Sequence, residues 1–318
     1  MANVFTTTTT LTLLIEKALN READWALRES PTFRQMVDKQ TGILTNPGQP
    51  VKMVIMNDLA LATTELTENV DPDSVAIPAP TVITVTPKEY GNATLRTLKM
   101  QELTFTNNVI SDIAMTVGRN MIDSVDNLYQ AVFDTGANVM SREGGVYKTT
   151  VTLNSILVAD VLNADGAARA AAMLRTRLAA PRTDGLMHAI VHPNVAYDLK
   201  RESGASANTV NSWFYAHANG GDLGAIYRGE IGTFVGIRWV ENAKATKVTN
   251  SVPASVYNTY IMGREPLVEH VVIEPKIVVG EVTDKLRRFY PVGWYGMLNM
   301  ALYRSESLQI VRTSATLQ

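Results

Sequence analysis

The clearest pattern of apolar and polar positions runs from about residue 107 to residue 133. Apolar residues recur there at spacings of three and four, while Asp112, Arg119 and Asp123 fall on the opposite side. The pattern predicts an amphipathic helix roughly 40 Å long, at about 1.5 Å per residue. Gly118 inside this helix costs about 1 kcal/mol relative to alanine, so it marks a bend or a close contact, or is simply tolerated.

A second pattern lies near the C-terminus, where residues 292–303 are apolar on both alternation phases. A strand that is buried on both faces has this pattern. The preceding segment, 284–291, is basic and aromatic and ends in Pro291, which cannot continue a helix. We therefore expect this segment to be extended, and the chain, through residues 307–312, to finish in core sheet.

Two stretches rich in β-branched residues, 51–55 and 81–86, predict strands on either side of a long segment. The residues between them show little periodicity and include four acidic side chains: Glu65, Glu68, Asp71 and Asp73. A segment of this length inside a compact domain indicates a functional excursion, or one that a partner orders. A further strand is expected over 94–104, after a tight reversal at Gly91-Asn92.

The first 50 residues form an arm, because a short amphipathic helix over 11–27 and a turn-rich stretch over 41–50 carry too few apolar residues for a domain. Residues 151–275 instead alternate helical and strand patterns, which predicts a mixed α+β unit. The helices are expected over 155–164, 167–179, 193–202 and 211–218, and the strands over 186–192, 235–241 and 256–262.

The composition argues against several classes of function. The chain has 318 residues, of which 46% are hydrophobic and 19% charged, and a net charge of -2, so it lacks the basic character of a dedicated nucleic-acid binder. It contains no cysteine, which excludes disulfides and thiolate metal sites. No apolar stretch is long enough to span a membrane, and the N-terminus lacks a signal-peptide pattern, so we expect a soluble protein.

No catalytic, cofactor or metal site is expected from the motifs. The four histidines lack metal-ligand spacing, the glycine-rich stretches do not match a phosphate-binding loop, and no Gly-x-Ser-x-Gly occurs. If the chain were an α/β enzyme with an unrecognised site, His192, Asp198 and Glu230 would be the first candidates.

A basic cluster at Lys285, Arg287 and Arg288 could contact phosphates. Because the overall charge is near zero, carboxylates of the same protein or of a neighbour are the favoured partners. The acidic residues of the long excursion are the obvious candidates, so we predict both groups as subunit-interface residues.

The order of these segments resembles the major capsid proteins of tailed bacteriophages, which have the Hong Kong 97 fold. Four stretches resemble one branch of that family: 87–92 (Pro-Lys-Glu-Tyr-Gly-Asn), 192–199 (His-Pro-Asn-x-x-Tyr-Asp-Leu), 229–236 (Gly-Glu-Ile-Gly-x-Phe-x-Gly), and 285–289 with 292–296 (Lys-x-Arg-Arg-Phe, Val-Gly-Trp-Tyr-Gly). They occur in the family's order, and the likeness in segment order covers nearly the whole chain.

The resemblance implies an α+β fold and a domain division. It comprises an N-terminal arm (1–50), an extended loop or E-loop (51–90), a P domain (91–150) with a spine helix (about 107–133), an A domain (151–275), and return strands that complete the P domain (276–318). None of the matched stretches is catalytic in the family, so no active-site residues carry over.

The resemblance also implies a shell subunit that forms hexamers and pentamers around double-stranded DNA, which it would contact non-specifically. The expected partners are other copies of the chain, a separate scaffolding protein and a portal, with a decoration protein left open. The location would be the virion, after assembly in the host cytoplasm.

Other functions remain alternatives to the phage shell. An encapsulin-like compartment uses the same fold, the α/β enzyme belongs to a different class, and a tail or decoration protein should be smaller and lack the spine helix. No lysine lies between Met53 and Pro87, so cross-linking through an E-loop lysine is not expected.

Overall fold

The computed structural model describes residues 32–39, 50–63, 65, 66, 68, 71, 74–103, 109–201, 233–250, 255–282 and 284–317. The helices predicted over 11–27 and 211–218, together with Asp73 and Glu230, lie outside the described residues. The described parts combine helices with β-sheets, which confirms the α+β class.

The α-helices are α1 (Leu98–Leu103), α2 (Val109–Phe133), α3 (Ala164–Thr176) and α4 (Pro193–Arg201). The strands are β1 (Asp38–Lys39), β2 (Val51–Ile55), β3 (Thr81–Val85), β4 (Lys88–Thr97), β5 (Val139–Glu143), β6 (Val146–Lys148), β7 (Met187–Val191), β8 (Thr233–Phe234), β9 (Ile237–Glu241), β10 (Lys247–Thr249), β11 (Ser255–Met262), β12 (Leu267–Val279), β13 (Phe289–Leu302) and β14 (Leu308–Thr313). Short 3-10 turns lie at Arg34–Met36, Leu153–Ser155 and Ser305–Ser307.

These strands form three sheets. A four-stranded sheet has the order β1-β12-β13-β4, and β2 pairs with β3 as a separate two-stranded sheet. An eight-stranded sheet has the order β6-β5-β14-β11-β7-β9-β8, with β10 also paired to β11. Its pairings are mixed, since β5 with β14 and β7 with β9 run parallel while the others run antiparallel.

The helix predicted from residue 107 to 133 is present as α2, here called the spine helix. Its apolar face buries Val117, Val125, Tyr129 and Phe133 in a core shared with residues of both large sheets. A Cβ atom added at Gly118 would lie 3.4 Å from Cδ1 of Ile277 on β12. Gly118 therefore marks a close contact between the helix and the four-stranded sheet.

The C-terminal apolar run forms β13, but it is fully buried on one face only. Trp294, Leu298 and Met300 are buried in the core that contains the spine helix, whereas Tyr295 and Met297 are half-buried. The prediction of a strand buried on both faces is therefore wrong, because the spine helix covers a single face of this sheet.

The predicted reversal at Gly91-Asn92 is also wrong. β4 runs through these residues without interruption, and Gly91 pairs with Tyr295 of β13. A Cβ atom at Gly91 would lie 2.7 Å from the carbonyl oxygen of Trp294, so the glycine permits a close backbone approach inside a sheet. The strand then ends at Thr97 and α1 begins, which shortens the strand predicted over 94–104.

The strand β14 does not join β13. It pairs antiparallel with β11 and parallel with β5, in the centre of the eight-stranded sheet. The chain thus ends in core sheet as predicted, but in a different sheet from β13. The division of the chain into P and A domains at particular residues stays a prediction.

The helix predicted over 155–164 is replaced by an irregular loop around Asp160. The carboxylate of Asp160 accepts hydrogen bonds from the backbone N–H groups of Gly144, Gly145 and Leu157 at 2.6 to 2.9 Å. Asn163 then caps α3 by accepting from the Gly166 N–H at 2.9 Å. Because the side chains of Asp160 and Asn163 satisfy nearby N–H groups, the helix begins only at Ala164.

Candidate subunit interface

The E-loop is anchored at its base and extended beyond it. Strands β2 and β3 pair antiparallel, from Val51 with Val85 to Ile55 with Thr81, and Met53 and Val85 pack on Val268 of β12. Asn57 donates a hydrogen bond to the Ala79 carbonyl at 2.6 Å, which ties the two sides together just above the strands. The described residues between 56 and 80 form neither helix nor strand.

The E-loop leaves many apolar side chains in solvent. Exposed fractions range from 51% to 88% for eight large apolar residues: Val54, Met56, Leu59, Leu61, Leu66, Val75, Ile77 and Val82. So many large apolar side chains exposed in one segment are uncommon on a soluble monomer and indicate a contact with another molecule. The excursion therefore has the surface chemistry of an interface.

The predicted acidic residues lie in the same excursion. Glu65, Glu68 and Asp71 are exposed, and none of them forms an ion pair with another described residue. No described basic residue neutralises their charge.

The predicted basic residues lie in the turn that connects β12 to β13. Asp284 organises this turn: its carboxylate accepts from the Leu286 N–H at 3.1 Å and from Nε of Arg288 at 2.7 Å. The hydrogen bond from Arg288 is the main reason that the pKa of Asp284 is lowered. Arg288 also lies over the ring of Phe289, at 5.2 Å from its centroid. Arg288 is thus engaged in holding the turn.

Lys285 and Arg287 are the available cations of this turn, since both are exposed and neither forms an ion pair with a described residue. Exposed apolar side chains accompany them, at Val279 (68%) and Leu286 (71%). The basic turn therefore combines positive charge with apolar surface, as the E-loop combines negative charge with apolar surface.

The acidic and basic groups form no ion pair with each other within the described part of one chain. A contact between them across two copies, and hence their role as interface residues, stays a prediction.

Of the three residues named as candidates for an enzyme site, His192 and Asp198 lie in the described part of the structure. The Nδ1 atom of His192 accepts the Asn194 N–H at 3.2 Å, and its ring packs on Tyr257 with centroids 4.5 Å apart. Burial lowers the pKa of His192. Asp198 accepts the Thr316 N–H at 2.7 Å. These contacts hold α4 and the C-terminal segment in place, which is a structural role for both residues.

Among the described residues, no group of three or more histidine, aspartate or glutamate side chains could hold a metal ion. No described helix is long and apolar enough to cross a membrane.

His270 lies beneath the base of the E-loop. It follows Val268 by two residues on β12, so the two side chains lie on the same face, where Val268 contacts Met53 and Val85. The imidazole is only 2% exposed, and neither ring nitrogen has a hydrogen-bond partner in the described part of the chain. Burial lowers the pKa of His270.

We expect acid to destabilise the chain through His270. Its folded-state pKa lies below the unfolded value of about 6.5, so the unfolded state binds the proton first and stability falls as the pH drops below that value. Urea midpoints of the unassembled subunit at pH 7.5 and 5.5 should differ less for His270→Leu than for the wild type. An equal pH dependence in the two proteins would contradict this assignment.

No protein-family model and no curated protein sequence matches the chain. Solved phage capsid structures do match. The capsid protein of Ralstonia phage GP4 is 11% identical in sequence, with a TM-score of 0.70. The alignment covers 94% of this chain and 95% of the phage GP4 chain. The capsid of cyanophage P-SCSP1u is 12% identical with a TM-score of 0.69, covering 96% and 94%. The acid-stable capsid of Helicobacter pylori bacteriophage KHP30 is 12% identical with a TM-score of 0.67, covering 99% of both chains.

At these identities the likeness is one of fold. The chain has the α+β fold of phage capsid proteins, the Hong Kong 97 type that the sequence resemblance implied. The matched region extends over nearly the whole of both chains.

Proposed function

We propose that this protein is the major capsid protein of a tailed bacteriophage, and that it assembles as hexamers and pentamers into the icosahedral head shell around double-stranded DNA. The observation that carries the proposal is the near-complete match, in both directions, to capsid chains of phages that infect different hosts. Its role is structural rather than enzymatic. Its location is the virion, after assembly in the host cytoplasm.

The surface of the chain supports assembly. A shell needs large interfaces between identical copies, and segments that cannot bury themselves within one copy supply them. The E-loop is such a segment, because its base packs on the four-stranded sheet while the apolar side chains beyond it stay exposed.

We place the E-loop of one copy against the basic turn of an adjacent copy. Glu65, Glu68 and Asp71 would face Lys285 and Arg287, and the apolar side chains of the two segments would cover one another. Complementary charge would select the docking partner and its register, while apolar burial would supply most of the free energy of association.

The other partners follow from the same proposal. A separate scaffolding protein directs shell closure, a portal occupies one vertex, and packaged DNA meets the inner surface non-specifically. The near-neutral net charge of -2 fits a surface that tolerates DNA without binding it strongly.

Electron microscopy of the full chain, expressed with the scaffolding and portal proteins of its gene neighbourhood, tests the proposal. We expect closed icosahedral particles with resolved hexamers and pentamers. A chain that stays monomeric on size exclusion under these conditions would overturn it. Particles that hold a cargo enzyme and no portal would support the encapsulin-like compartment instead.

The shell is expected to be non-covalent, because the part of the E-loop between Met53 and Pro87 contains no lysine that could form a cross-link. Particles heated in denaturant should give a single monomer band on a gel. A ladder of covalent multimers would contradict this prediction.

A further inference from the structure

Residues 32–39, here called the brace, contact three different parts of the fold. They contain a single 3-10 turn at Arg34–Met36 and the two-residue strand β1. With so little internal hydrogen bonding, the brace is held in place by what it touches. Its contacts join the spine helix, the four-stranded sheet and the eight-stranded sheet.

On one side the brace binds the spine helix and the four-stranded sheet. The backbone N–H of Arg34 donates to Oδ1 of Asp126 on the spine helix at 3.2 Å. Its guanidinium donates to Glu269 at 2.9 Å and to Glu274 at 2.8 Å, both on β12. Next to these contacts, β1 pairs in parallel with Val268 and Glu269 of β12.

On the other side the brace binds the eight-stranded sheet. The ring of Phe33 is fully buried. Its centroid lies 5.6 Å from the ring centroid of Tyr260 on β11 and 5.8 Å from that of Phe133 at the end of the spine helix. Thr32 is hydrogen-bonded to Asn242, which directly follows β9. Arg182, just before β7, donates to the carbonyl of Met36 at 2.8 Å.

The contact between the brace and the spine helix is incompletely filled. A cavity of about 310 Å³ is lined by Arg34, Gln35, Met121, Ile122, Val125, Asp126 and Pro275. Oδ2 of Asp126 and Oε2 of Glu269 are buried without a hydrogen-bond partner in the described part of the chain. Burial raises the pKa of Asp126, whereas the hydrogen bond from the Arg34 N–H acts to lower it.

These features make the brace easier to detach than the sheets that it joins. A buried carboxylate oxygen without a partner opposes the docked state, and it recovers hydration when the segment leaves. Local opening of a short segment costs less free energy than global unfolding, and here it must withdraw Phe33 and Val37 from the core. The brace is therefore fully docked in the structure but held mainly by a few side chains.

We propose that residues 32–39 are a releasable brace that fixes the angle between the eight-stranded sheet and the unit formed by the four-stranded sheet and the spine helix. When the brace is docked, Phe33 and Arg34 hold the two bodies in one orientation. When it leaves, the shared core around the spine helix still joins them, but the angle between them becomes adjustable. The device belongs to the single chain and operates whether or not the chain assembles.

The cysteine-free sequence allows a direct measurement. Spin labels on Val146→Cys and Val279→Cys would report one distance between the two bodies, since Val146 lies on β6 and Val279 on β12 and both are exposed. Double electron–electron resonance on the full chain, diluted with unlabelled protein, gives the distance distribution within one copy. We expect a single narrow distribution for the otherwise wild-type chain.

Removal of the brace contacts should change that distribution. Phe33→Ala, Arg34→Ala and the milder Glu274→Gln should each broaden it or add a second maximum, with the smallest effect from Glu274→Gln. Asp165→Asn is the matched control, because it removes an exposed ion pair within α3, keeps Arg169 in place over the Tyr147 ring, and should leave the distribution unchanged.

Hydrogen exchange of β11 and β12 in the same samples shows whether both sheets remain folded. If either strong variant unfolds, Glu274→Gln still decides the result, since the side chain of Glu274 is 60% exposed and its loss leaves the core intact. Distributions that stay as narrow as the wild type, in variants whose residues 32–39 exchange freely, would overturn the proposal.

Discussion

Replacement of Glu65, Glu68 and Asp71 with lysine is expected to block or strongly slow shell assembly at ordinary salt. The substitutions convert attraction between the E-loop and the basic turn of a neighbour into repulsion between like charges. All three residues are exposed and unpaired within the described part of the chain, so the fold of the single copy should be unaffected. Light scattering and electron microscopy of the assembly reaction measure the result.

Two further variants make this result specific. The control reverses Asp165 and Glu306, which are exposed acidic residues outside the E-loop, and it should assemble normally. The rescue adds Lys285→Glu and Arg287→Glu to the lysine-substituted E-loop, which restores opposite charges and should recover assembly in part. Normal shells from the lysine variant alone, at ordinary salt, would refute the docking of the E-loop on the basic turn.

Substitution of Gly91 by alanine should destabilise the subunit strongly, although it adds only one methyl group. The added Cβ would lie 2.7 Å from the Trp294 carbonyl oxygen, and a backbone atom inside a sheet cannot move aside as a flexible side chain does. We expect a loss of about 1–3 kcal/mol, the usual cost of an overpacked interior, together with reduced yield of soluble protein. Urea unfolding of the unassembled subunit measures it.

Gly118→Ala is the matched control for Gly91→Ala. It adds the same methyl group, but the nearest atom is the end of the Ile277 side chain, at 3.4 Å. Alanine is also favoured over glycine within a helix by about 1 kcal/mol, so the substitution should be neutral or stabilising. If Gly91→Ala were as stable as the wild type, the close approach of β4 to β13 would not constrain this position.

Elements with a strong local pattern were predicted well. The spine helix, α4, β2, β3 and β11 lie within a few residues of their expected positions, because each carries a periodicity or a run of β-branched residues that one element alone explains. β12 went unassigned. It carries Glu269, His270, Glu274 and Pro275 within one strand, and their polarity masks the alternation.

Two errors have the same physical origin. Gly91 was interpreted as a turn because glycine is frequent in turns, whereas its role depends on Trp294, about 200 residues away in the chain. β14 was grouped with β13, which it follows directly, whereas its partners are β11 and β5. Neither fact has a local signature, since each is a property of two segments that meet only in the folded chain.

The sequence named the residues of the candidate interface, which stay a prediction, but it did not show how the E-loop is anchored. The acidic residues and the absence of periodicity between 56 and 80 indicated an excursion that needs a partner. The structure added the base at Met53 and Val85, the exposed apolar side chains, and the engagement of Arg288 by Asp284. Of the three predicted cations, it thereby distinguishes the two that are available to a neighbour.

The sequence by itself determined the strongly periodic elements and the lack of cysteine and of recognisable catalytic motifs. The division into an arm, an excursion, a spine helix and a mixed unit stays a prediction. The tertiary structure decided which strands share a sheet, why Gly91 has no side chain, and how residues 32–39 connect the spine helix to both large sheets. Arg34 shows the reason: its partners Glu269 and Glu274 lie 235 and 240 residues away. Local periodicity reports the environment of a segment, whereas contacts across such separations depend on how whole elements pack.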